Sequence, residues 1–307
     1  MSSVLYDAPG PKARFRSRVF SVVGVVLLIA ILAWLVLALG APKPSANGAV
    51  QPGMWDATRW DVFTDVQVWR QLGFGVLATL QMAGVAAVLA IGLGILFSFG
   101  RSADHKAIRV PTTIILEFVR GLPVLLMMLF ILLVFATGAY WAGVAALGLY
   151  NGAIIGEALR AGIQSLPRGQ REAGLAIGLT PLSTRFRIEF PQAFRQMLPI
   201  IIAQLVVLLK DTSLAFVVGY SELLRTGVYN LHNFFGQRYQ FSFFLVVLAI
   251  YLAMNLSLSW LARFIARRSG PKAGTLTTVE PTLTPKDSLS SVRGSYSTGA
   301  TGGVGPA

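Results

Sequence analysis

The feature that most constrains this chain is a run without any charged side chain at 19–40, VFSVVGVVLLIAILAWLVLALG. As an α-helix this run extends about 33 Å, which is enough to cross the roughly 30 Å hydrocarbon core of a bilayer. Only 13% of all residues are charged, whereas 54% are hydrophobic. A soluble protein needs more charged side chains than this to cover its surface in water. We therefore predict an all-α integral membrane protein. A cleaved signal peptide is the alternative for the first run, whose apolar stretch exceeds the usual signal core.

Further apolar runs predict six membrane spans, at about 19–40, 72–99, 111–137, 143–163, 196–219 and 241–264. The predicted organisation is a basic N-terminus 1–18, an extra N-terminal span 19–40, an external segment 41–71, a core 72–264 and a tail 265–307. The tail is rich in Ser, Thr, Gly and Pro and is expected to be disordered. Within the fourth span, Gly152 and Gly156 have the spacing of a close helix-packing face.

The distribution of basic residues orients these spans. The net charge is +13, which by itself would be compatible with nucleic-acid binding. Five basic residues fall on one predicted side: Lys43, Arg59, Arg70, Arg225 and Arg238. The other side carries seventeen: Lys12, Arg14, Arg16, Arg18, Arg101, Lys106, Arg109, Arg160, Arg168, Arg171, Arg185, Arg187, Arg195, Arg263, Arg267, Arg268 and Lys272. This positive-inside asymmetry places both termini in the cytosol and argues against a nucleic-acid partner.

Several kinds of chemistry are excluded by what the sequence lacks. It contains no cysteine, so disulfides, thiolate catalysis and sulfur-ligated metals are ruled out. Its two histidines, His105 and His232, fall on opposite predicted sides of the bilayer, so they cannot share a metal. No phosphate-binding G-x-x-x-x-G-K-[ST] motif occurs, so the chain should not hydrolyse ATP itself. We expect neither a metal nor a cofactor.

The loop at 165–191, between the fourth and fifth predicted spans, has its own local structure. A short helix is predicted up to Gly178, which is a plausible C-terminal stop. Thr180 can then cap a second short helix that has Pro181 at its first position. This second helix reads LSTRFRIEF and meets Pro191. Two short helices joined at a glycine between two spans predict a membrane-surface element that a soluble partner binds.

The same loop resembles the signature loop of permease subunits of ABC importers. That signature, Glu-Ala-Ala, three residues, Gly, nine residues, Ile-x-Leu-Pro, stands here as Glu172-Ala173-Gly174, Gly178 and Ile188-Glu189-Phe190-Pro191, with departures at Gly174 and Phe190. The flanking NGAIIGEALRAGIQSLPRGQREA, the segment LLKDTSL and the segment FVRGLP resemble the polar amino acid branch. The resemblance covers roughly 70–265. It implies a type I ABC importer permease fold, with a five-helix core plus one extra N-terminal transmembrane helix. The ATPase-coupling residues that it implies are Arg171, Glu172, Ala173, Gly174, Gly178 and Pro191.

The resemblance also implies partners and a transport function. The partners would be a cytosolic ABC ATPase dimer, a second permease that is identical or homologous, an extracellular substrate-binding protein and an amino-acid substrate. The leading span and the Ser/Thr/Gly-rich tail look like those of glutamate-type permeases of high-GC Gram-positive bacteria. We therefore expect glutamate to be the substrate. The expected location of the protein is the plasma membrane. A stand-alone secondary transporter or channel is the alternative function, but no inverted repeat is detectable. An intramembrane enzyme would need a metal set or a Ser/His pair within the spans, and neither is present.

Ionisable residues within predicted spans form the second candidate site, because charges are costly in hydrocarbon. Three pairs share this property: Glu117 with Arg120, Glu157 with Arg160, and Lys210 with Asp211. The first two pairs have the i,i+3 spacing of neighbours on one helix face. They either neutralise each other and hold helices together or line a polar path for a zwitterionic substrate. Pro123 favours the substrate path, because a proline lacks an N–H and so leaves a backbone carbonyl free one turn earlier. Broken backbone at membrane depth is tolerated where it lines a cavity.

Overall fold

A computed structural model describes residues 10–44 and 50–269 of the chain, and these residues form a mostly helical bundle. The helices are α1 (Pro11–Gly40), α2 (Val66–Arg101), α3 (Lys106–Gly121), α4 (Val124–Phe135), α5 (Ala139–Gln164), α6 (Arg168–Ala176), α7 (Pro181–Thr184), α8 (Phe190–Asp211), α9 (Leu231–Phe235) and α10 (Gln240–Ser269). A two-residue antiparallel ladder joins β1 (Lys43–Pro44) to β2 (Val50–Gln51). Within the described residues, five helical segments are long and apolar enough to span a membrane, and the count reaches six if the bent pair α3–α4 forms one span.

The first helix stands apart from the bundle along most of its length. The most apolar window of α1 has a mean hydropathy of 3.2 and is 0% buried within the chain, as expected of a helix that faces lipid on all sides. Its C-terminal end is held by the segment that follows, where Trp55 Nε1 donates to the Val36 carbonyl at 2.9 Å. Close packing of Gly53 against Gly40 leaves no room for a Cβ, which would lie 2.0 Å from the Gly40 carbonyl oxygen.

Helices α2 and α5 run parallel and pack through glycines. A Cβ at Gly148 would lie 2.5 Å from Leu89, and one at Gly152 would lie 2.9 Å from the Leu93 Cβ. Four residues further along both helices, a Cβ at Gly156 would lie 2.9 Å from the Phe97 Cβ. The predicted packing face at Gly152 and Gly156 is therefore present, and its partner is α2. Small residues at such an interface let two backbones approach closely, which favours helix association in lipid.

The third predicted span is not one helix. It divides into α3 and α4, whose axes differ by 106° at the break after Gly121. Pro123 has no N–H and biases Leu122 towards extended backbone, and Leu122 has ψ 135°. The continuous span predicted over 111–137 is therefore wrong, although the predicted break at Pro123 is found. The 12 residues of α4 extend only about 18 Å, which is less than the roughly 30 Å hydrocarbon core of a bilayer.

The second arm of the loop is also continuous with the following span. From Pro181 the chain stays helical to Phe216, passing from α7 through a π-helical segment, Arg185–Glu189, into α8. The separate second helix that was predicted to end at Pro191 is therefore wrong. Pro191 lies in the first turn of α8, directly after the wide π turn. The π segment has already changed the backbone hydrogen-bond pattern at this point. The missing N–H of Pro191 therefore costs no further hydrogen bond.

The remaining boundaries differ from the prediction by a few residues. Helix α1 begins at Pro11, within the basic segment predicted at 1–18, and α10 continues to Ser269, into the predicted tail. Residues 1–9, and the tail from 270 onward, lie outside the described residues. Helix α5 runs antiparallel to α8, since Gln204 Nε2 donates to Asn151 Oδ1 at 2.7 Å and Met197 lies against Gly162.

At the end of the bundle opposite α6, a buried carboxyl group organises the connection between α8 and α10. Glu222 accepts hydrogen bonds from the amides of Leu224 and Arg225 at 2.7 and 2.8 Å and from Tyr251 Oη at 2.5 Å. The side chain is 0% exposed. Burial raises the pKa of the Glu222 carboxyl above its usual range, against the lowering effect of these hydrogen bonds. Glu222 thus fastens this connection to α10.

Candidate functional site

The first arm of the loop, α6, ends in a well-formed stop at Gly178. The Leu179 amide donates to the Gly174 carbonyl at 3.2 Å, and the Gly178 amide donates to the Leu175 carbonyl at 3.0 Å. These two bonds define a Schellman motif, which requires left-handed backbone at the residue after the cap. Gly178 has φ +84°, a conformation that side chains with a Cβ rarely adopt. The predicted break at Gly178 is therefore confirmed, together with its conformational reason.

The second arm begins as its sequence predicts and then packs firmly against the bundle. Thr180 Oγ1 accepts from the Ser183 amide at 3.3 Å, and Pro181 occupies the first turn of α7. The ring of Phe190, where the importer pattern has leucine, lies 5.2 Å from the ring of Phe99 on α2 and near Phe186 and Phe194. The departure at Phe190 thus completes an aromatic cluster that ties the loop to α2.

Gly174, the other departure from the pattern, lies between the two arms. It is buried, and a Cβ there would lie 2.5 Å from Thr184 Cγ2 and 3.0 Å from Ile188 Cδ1. Gly174 therefore allows α6 to lie directly on the second arm. Because it is covered by the chain's own residues, it has no surface with which to contact a partner. Its place in the site is to set the angle between the two arms.

We expect Gly174→Ala to force the two arms apart, because overpacking costs about 1–3 kcal/mol. Adding Thr184→Ala removes the nearest atoms, including a buried hydroxyl that has no hydrogen-bond partner among the described residues, and should close the loop again. Trypsin cleavage of the purified protein at the loop arginines would measure the opening. Gly169→Ala is the matched control, because a Cβ at Gly169 meets no atom within 4 Å. Equal sensitivity of the single and double variants would contradict this packing role.

An apolar surface on the loop remains uncovered by the chain. Ile177 is 76% exposed, Leu182 is 67% exposed and Phe186 is 60% exposed. Ala173 and Ala176 of α6 are exposed as well. We call these five residues the loop patch: Ala173, Ala176, Ile177, Leu182 and Phe186. Exposed apolar patches of this kind mark a surface that contacts either another protein or the membrane.

The predicted charges of α3 and α5 form one cluster rather than two separate pairs. Arg160 contacts Glu157 at 2.5 Å, whereas Arg120 lies 3.8 Å from Glu117. Arg101, the last residue of α2, joins them by contacting Glu157 at 2.7 Å and Glu117 at 2.9 Å. Three arginines and two glutamates thus connect α2, α3 and α5. We call this group the charge cluster.

Two arginines of the site, Arg101 and Arg185, are not among the site residues predicted from the sequence. The sequence places Arg101 only among the basic residues of one side of the bilayer, and nothing in its local sequence shows that it reaches two other helices. Arg185 is 7% exposed and donates to the Ser102 carbonyl at 2.6 Å, with Glu189 at 3.8 Å and Asp104 at 3.9 Å. The i,i+4 spacing of Arg185 and Glu189 is a signal that could have identified this pair.

Lys210 and Asp211 are not part of the charge cluster. They lie in the last turn of α8, some 20 residues and about 30 Å of helix beyond the loop. No side chain among the described residues forms an ion pair with either of them within 4 Å. Of the six residues assigned to a substrate path, the structure therefore gathers Glu117, Arg120, Glu157 and Arg160 and leaves two apart.

Comparison with known proteins supplies an independent line of evidence. Residues 90–270 match the family described as binding-protein-dependent transport system inner membrane component. The chain is 36% identical to the glutamate transport system permease protein GluD of Corynebacterium glutamicum, over 70% of this chain and 81% of that protein. It is 34% identical to the probable glutamine ABC transporter permease protein GlnP of Bacillus subtilis, over 62% of this chain and 89% of that protein.

Solved structures give the same result for the fold. A crystal structure of an amino acid ABC transporter with histidines is 27% identical and superimposes with a TM-score of 0.61, covering 68% of this chain and 98% of the other. The MetNI methionine ABC transporter in an inward-facing conformation is 17% identical, with a TM-score of 0.57 over 67% of this chain. The second likeness establishes the fold alone.

Proposed function

We propose, from the premise that this chain belongs to the family of binding-protein-dependent transport system inner membrane components, that it carries glutamate into the cell under the control of a separate ATPase. Membership of this family establishes the general activity. The chain is an amino-acid permease subunit of an ABC importer, with the type I importer fold and no enzymatic activity of its own. What we propose beyond this is the substrate, the coupling surface, the partners and the orientation.

The observation that carries the coupling proposal is the uncovered loop patch on a rigid loop. Ile177 and its apolar neighbours would insert into a cleft of a cytosolic ABC ATPase, with Glu172 at the exposed edge as a charge partner. Gly178 forms the turn that exposes the loop patch, and Gly174 fixes the angle of α6 against the second arm. Pro191 lies at the start of the span that would move with the loop. Ala173 contributes a contact, and Arg171 lies beside Glu172 on the same helix. A stand-alone transporter would have no use for this patch.

The orientation follows from the same assignment. The loop must lie in the cytosol to meet an ATPase, which agrees with the basic residues of that end of the bundle. With six crossings, both termini are then cytosolic, and the 217–236 connection faces an extracellular substrate-binding protein. A second permease, identical or homologous, would complete the membrane unit, and the plasma membrane is its location.

Glutamate is proposed on the similarity to GluD, supported by the net positive charge of the charge cluster. The charge cluster carries three arginines and two glutamates, which leaves one positive charge near a broken span. An acidic amino acid has one negative charge more than a neutral zwitterion, so this cluster can attract its side chain at the inner part of the path. Lys210 and Asp211 would belong to a separate, outer part of that path.

Uptake by the purified transporter tests this proposal. The chain, its ATPase and its binding protein would be reconstituted in vesicles with ATP inside and labelled amino acids outside. We expect ATP-dependent uptake of glutamate, with glutamine and arginine at least tenfold less effective as competitors. Preferred uptake of glutamine would contradict the assignment of glutamate while leaving the amino-acid importer intact. Uptake without ATP would contradict the coupling proposal.

A further inference from the structure

A cationic cavity of about 840 Å³ lies beside α6 and is separate from the loop patch. Its walls come from the ends of α2 and α5, from α3 and from both arms of the loop. Six arginines and two glutamates line it: Arg101, Arg109, Arg160, Arg168, Arg171, Arg185, Glu172 and Glu189. Its volume is in the range of small-molecule binding sites.

Half of these arginines already have partners. Arg101 and Arg160 belong to the charge cluster, and Arg185 is held by Ser102, Asp104 and Glu189. The other three, Arg109, Arg168 and Arg171, have no carboxylate within 4 Å in residues 10–44 and 50–269. They come from α3 and α6, two elements that both line the cavity. Three unpaired guanidinium groups converging on one space favour an anion with several oxygen atoms.

One wall of the cavity is apolar and continues away from the arginines. Val110 and Ile114 line the cavity and are 50% and 63% exposed, and Phe118, four residues further along α3, is 67% exposed. Residues four apart lie on one face of a helix, so these side chains form a stripe. The stripe leads from the arginines along the half of the broken span that precedes Pro123. A free anion or an acidic peptide would leave this apolar stripe without a function.

We propose that this cavity binds the headgroup of an anionic phospholipid, with one acyl chain lying along the Val110–Ile114–Phe118 stripe. The phosphate would contact Arg109 and Arg168, which both line the cavity. Basic pockets between transmembrane helices at the cytosolic surface are suited to such headgroups. The lipid would join α3 to α6 and so connect the broken span to the loop.

The chain itself offers no acidic segment to fill the cavity. Residues 271–307 contain Lys272, Glu280, Lys286, Asp287 and Arg293, a surplus of one positive charge. Residues 1–18 are also basic, with four basic residues against Asp7. Neither 1–18 nor 271–307 therefore carries the net negative charge that would match the three unpaired arginines. A lipid is the occupant that matches both the charge and the apolar stripe.

Native mass spectrometry of the delipidated, purified transporter, titrated with phosphatidylglycerol or phosphatidylcholine, tests this proposal. Each arginine near a membrane surface contributes about fivefold to the binding of an anionic lipid. We therefore expect Arg109→Gln with Arg168→Gln to weaken phosphatidylglycerol binding roughly 25-fold. Arg195→Gln is the matched control, because Arg195 is exposed and does not line the cavity. It removes one charge and should leave binding unchanged.

Two further experiments distinguish a lipid headgroup from a free anion. Ile114→Asn should weaken phosphatidylglycerol binding several-fold without affecting soluble glycerol 3-phosphate. If glycerol 3-phosphate displaces the lipid at equal concentration, the site takes free anions and the lipid assignment is overturned. Loss of ATPase co-purification from the double variant, with lipid binding unchanged, would show that an ATPase occupies the cavity instead. Equal binding by the double variant and the Arg195→Gln control would also overturn the proposal.

Discussion

Gly178→Val is expected to abolish ATP-driven uptake while all membrane helices remain inserted. The residue has φ +84°, and a side chain held in the left-handed region costs about 1–3 kcal/mol, the most for a β-branched residue. That cost corresponds to a roughly five- to 150-fold shift away from the turn that presents the loop patch. A Cβ at this position would meet no atom within 4 Å, so the effect comes from backbone conformation and not from a clash. Uptake in vesicles and ATPase co-purification are the measurements.

Gly178→Asn is the matched control for this prediction. Asparagine adopts left-handed backbone far more readily than valine, so it should retain most of the uptake although its side chain is of similar size. The order of activity should therefore be Gly, then Asn, then Val. If Val and Asn variants transport equally well, the left-handed turn at Gly178 has no part in coupling. Glu172→Arg, which leaves the backbone unchanged, should reduce ATPase binding without opening the loop.

Arg101→Ala is expected to cause the largest loss of stability among the charged residues. It removes the contacts to Glu157 at 2.7 Å and to Glu117 at 2.9 Å, and so leaves two carboxylates with less compensation by positive charge. Breaking a buried pair costs about 3–5 kcal/mol, and the 54% exposure of the Glu117 side chain reduces this to about 3 kcal/mol or less. Thermal unfolding of the purified transporter would measure the loss. Arg101→Lys should recover only part of it, because an ammonium group lacks the planar fork that reaches both carboxylates.

Arg120→Ala separates the structural role from the transport role. Its contact to Glu117 is long, at 3.8 Å, so its removal should change the unfolding temperature little. If Arg120 lies on the substrate path, uptake should fall at least tenfold while stability is kept. Normal uptake with normal stability would remove Arg120 from the path. Restoring stability in Arg101→Ala by adding Glu117→Gln would confirm that unpaired charge is the cause of its instability.

Much of the fold could be predicted from the sequence because lipid imposes long apolar helices. The leading span, the glycine face of α5 and the turn at Gly178 each follow from a local rule that the surroundings do not override. The 106° bend between α3 and α4 was only half predicted. Pro123 indicates a break, but the angle depends on how α3 packs against α2 and α5 and how α4 packs against α5, which no local pattern encodes.

The continuity of the loop with α8 could not be read from the sequence for a related reason. Pro191 is a common helix stop, but here it directly follows the π-helical segment Arg185–Glu189 and the chain remains helical through it. Glu222 was missed because it lies in a polar connection, where an acidic residue usually indicates exposure. Arg101 was missed because its two partners are 16 and 56 residues away. Long-range contacts of this kind arise from helix packing.

The exposed residues on the loop provide the most direct test of the central claim, that this loop binds an ATPase. The chain contains no cysteine, so single cysteines can be introduced without altering others. A cysteine at Ile177, 76% exposed, should cross-link to cysteines in the cleft of the ATPase, whereas one at Phe234, 82% exposed at the opposite end, should not. Cross-linking from Ile177 that changes when ATP is bound is the predicted result. No cross-link from Ile177 in an assembled, transporting complex would contradict the account.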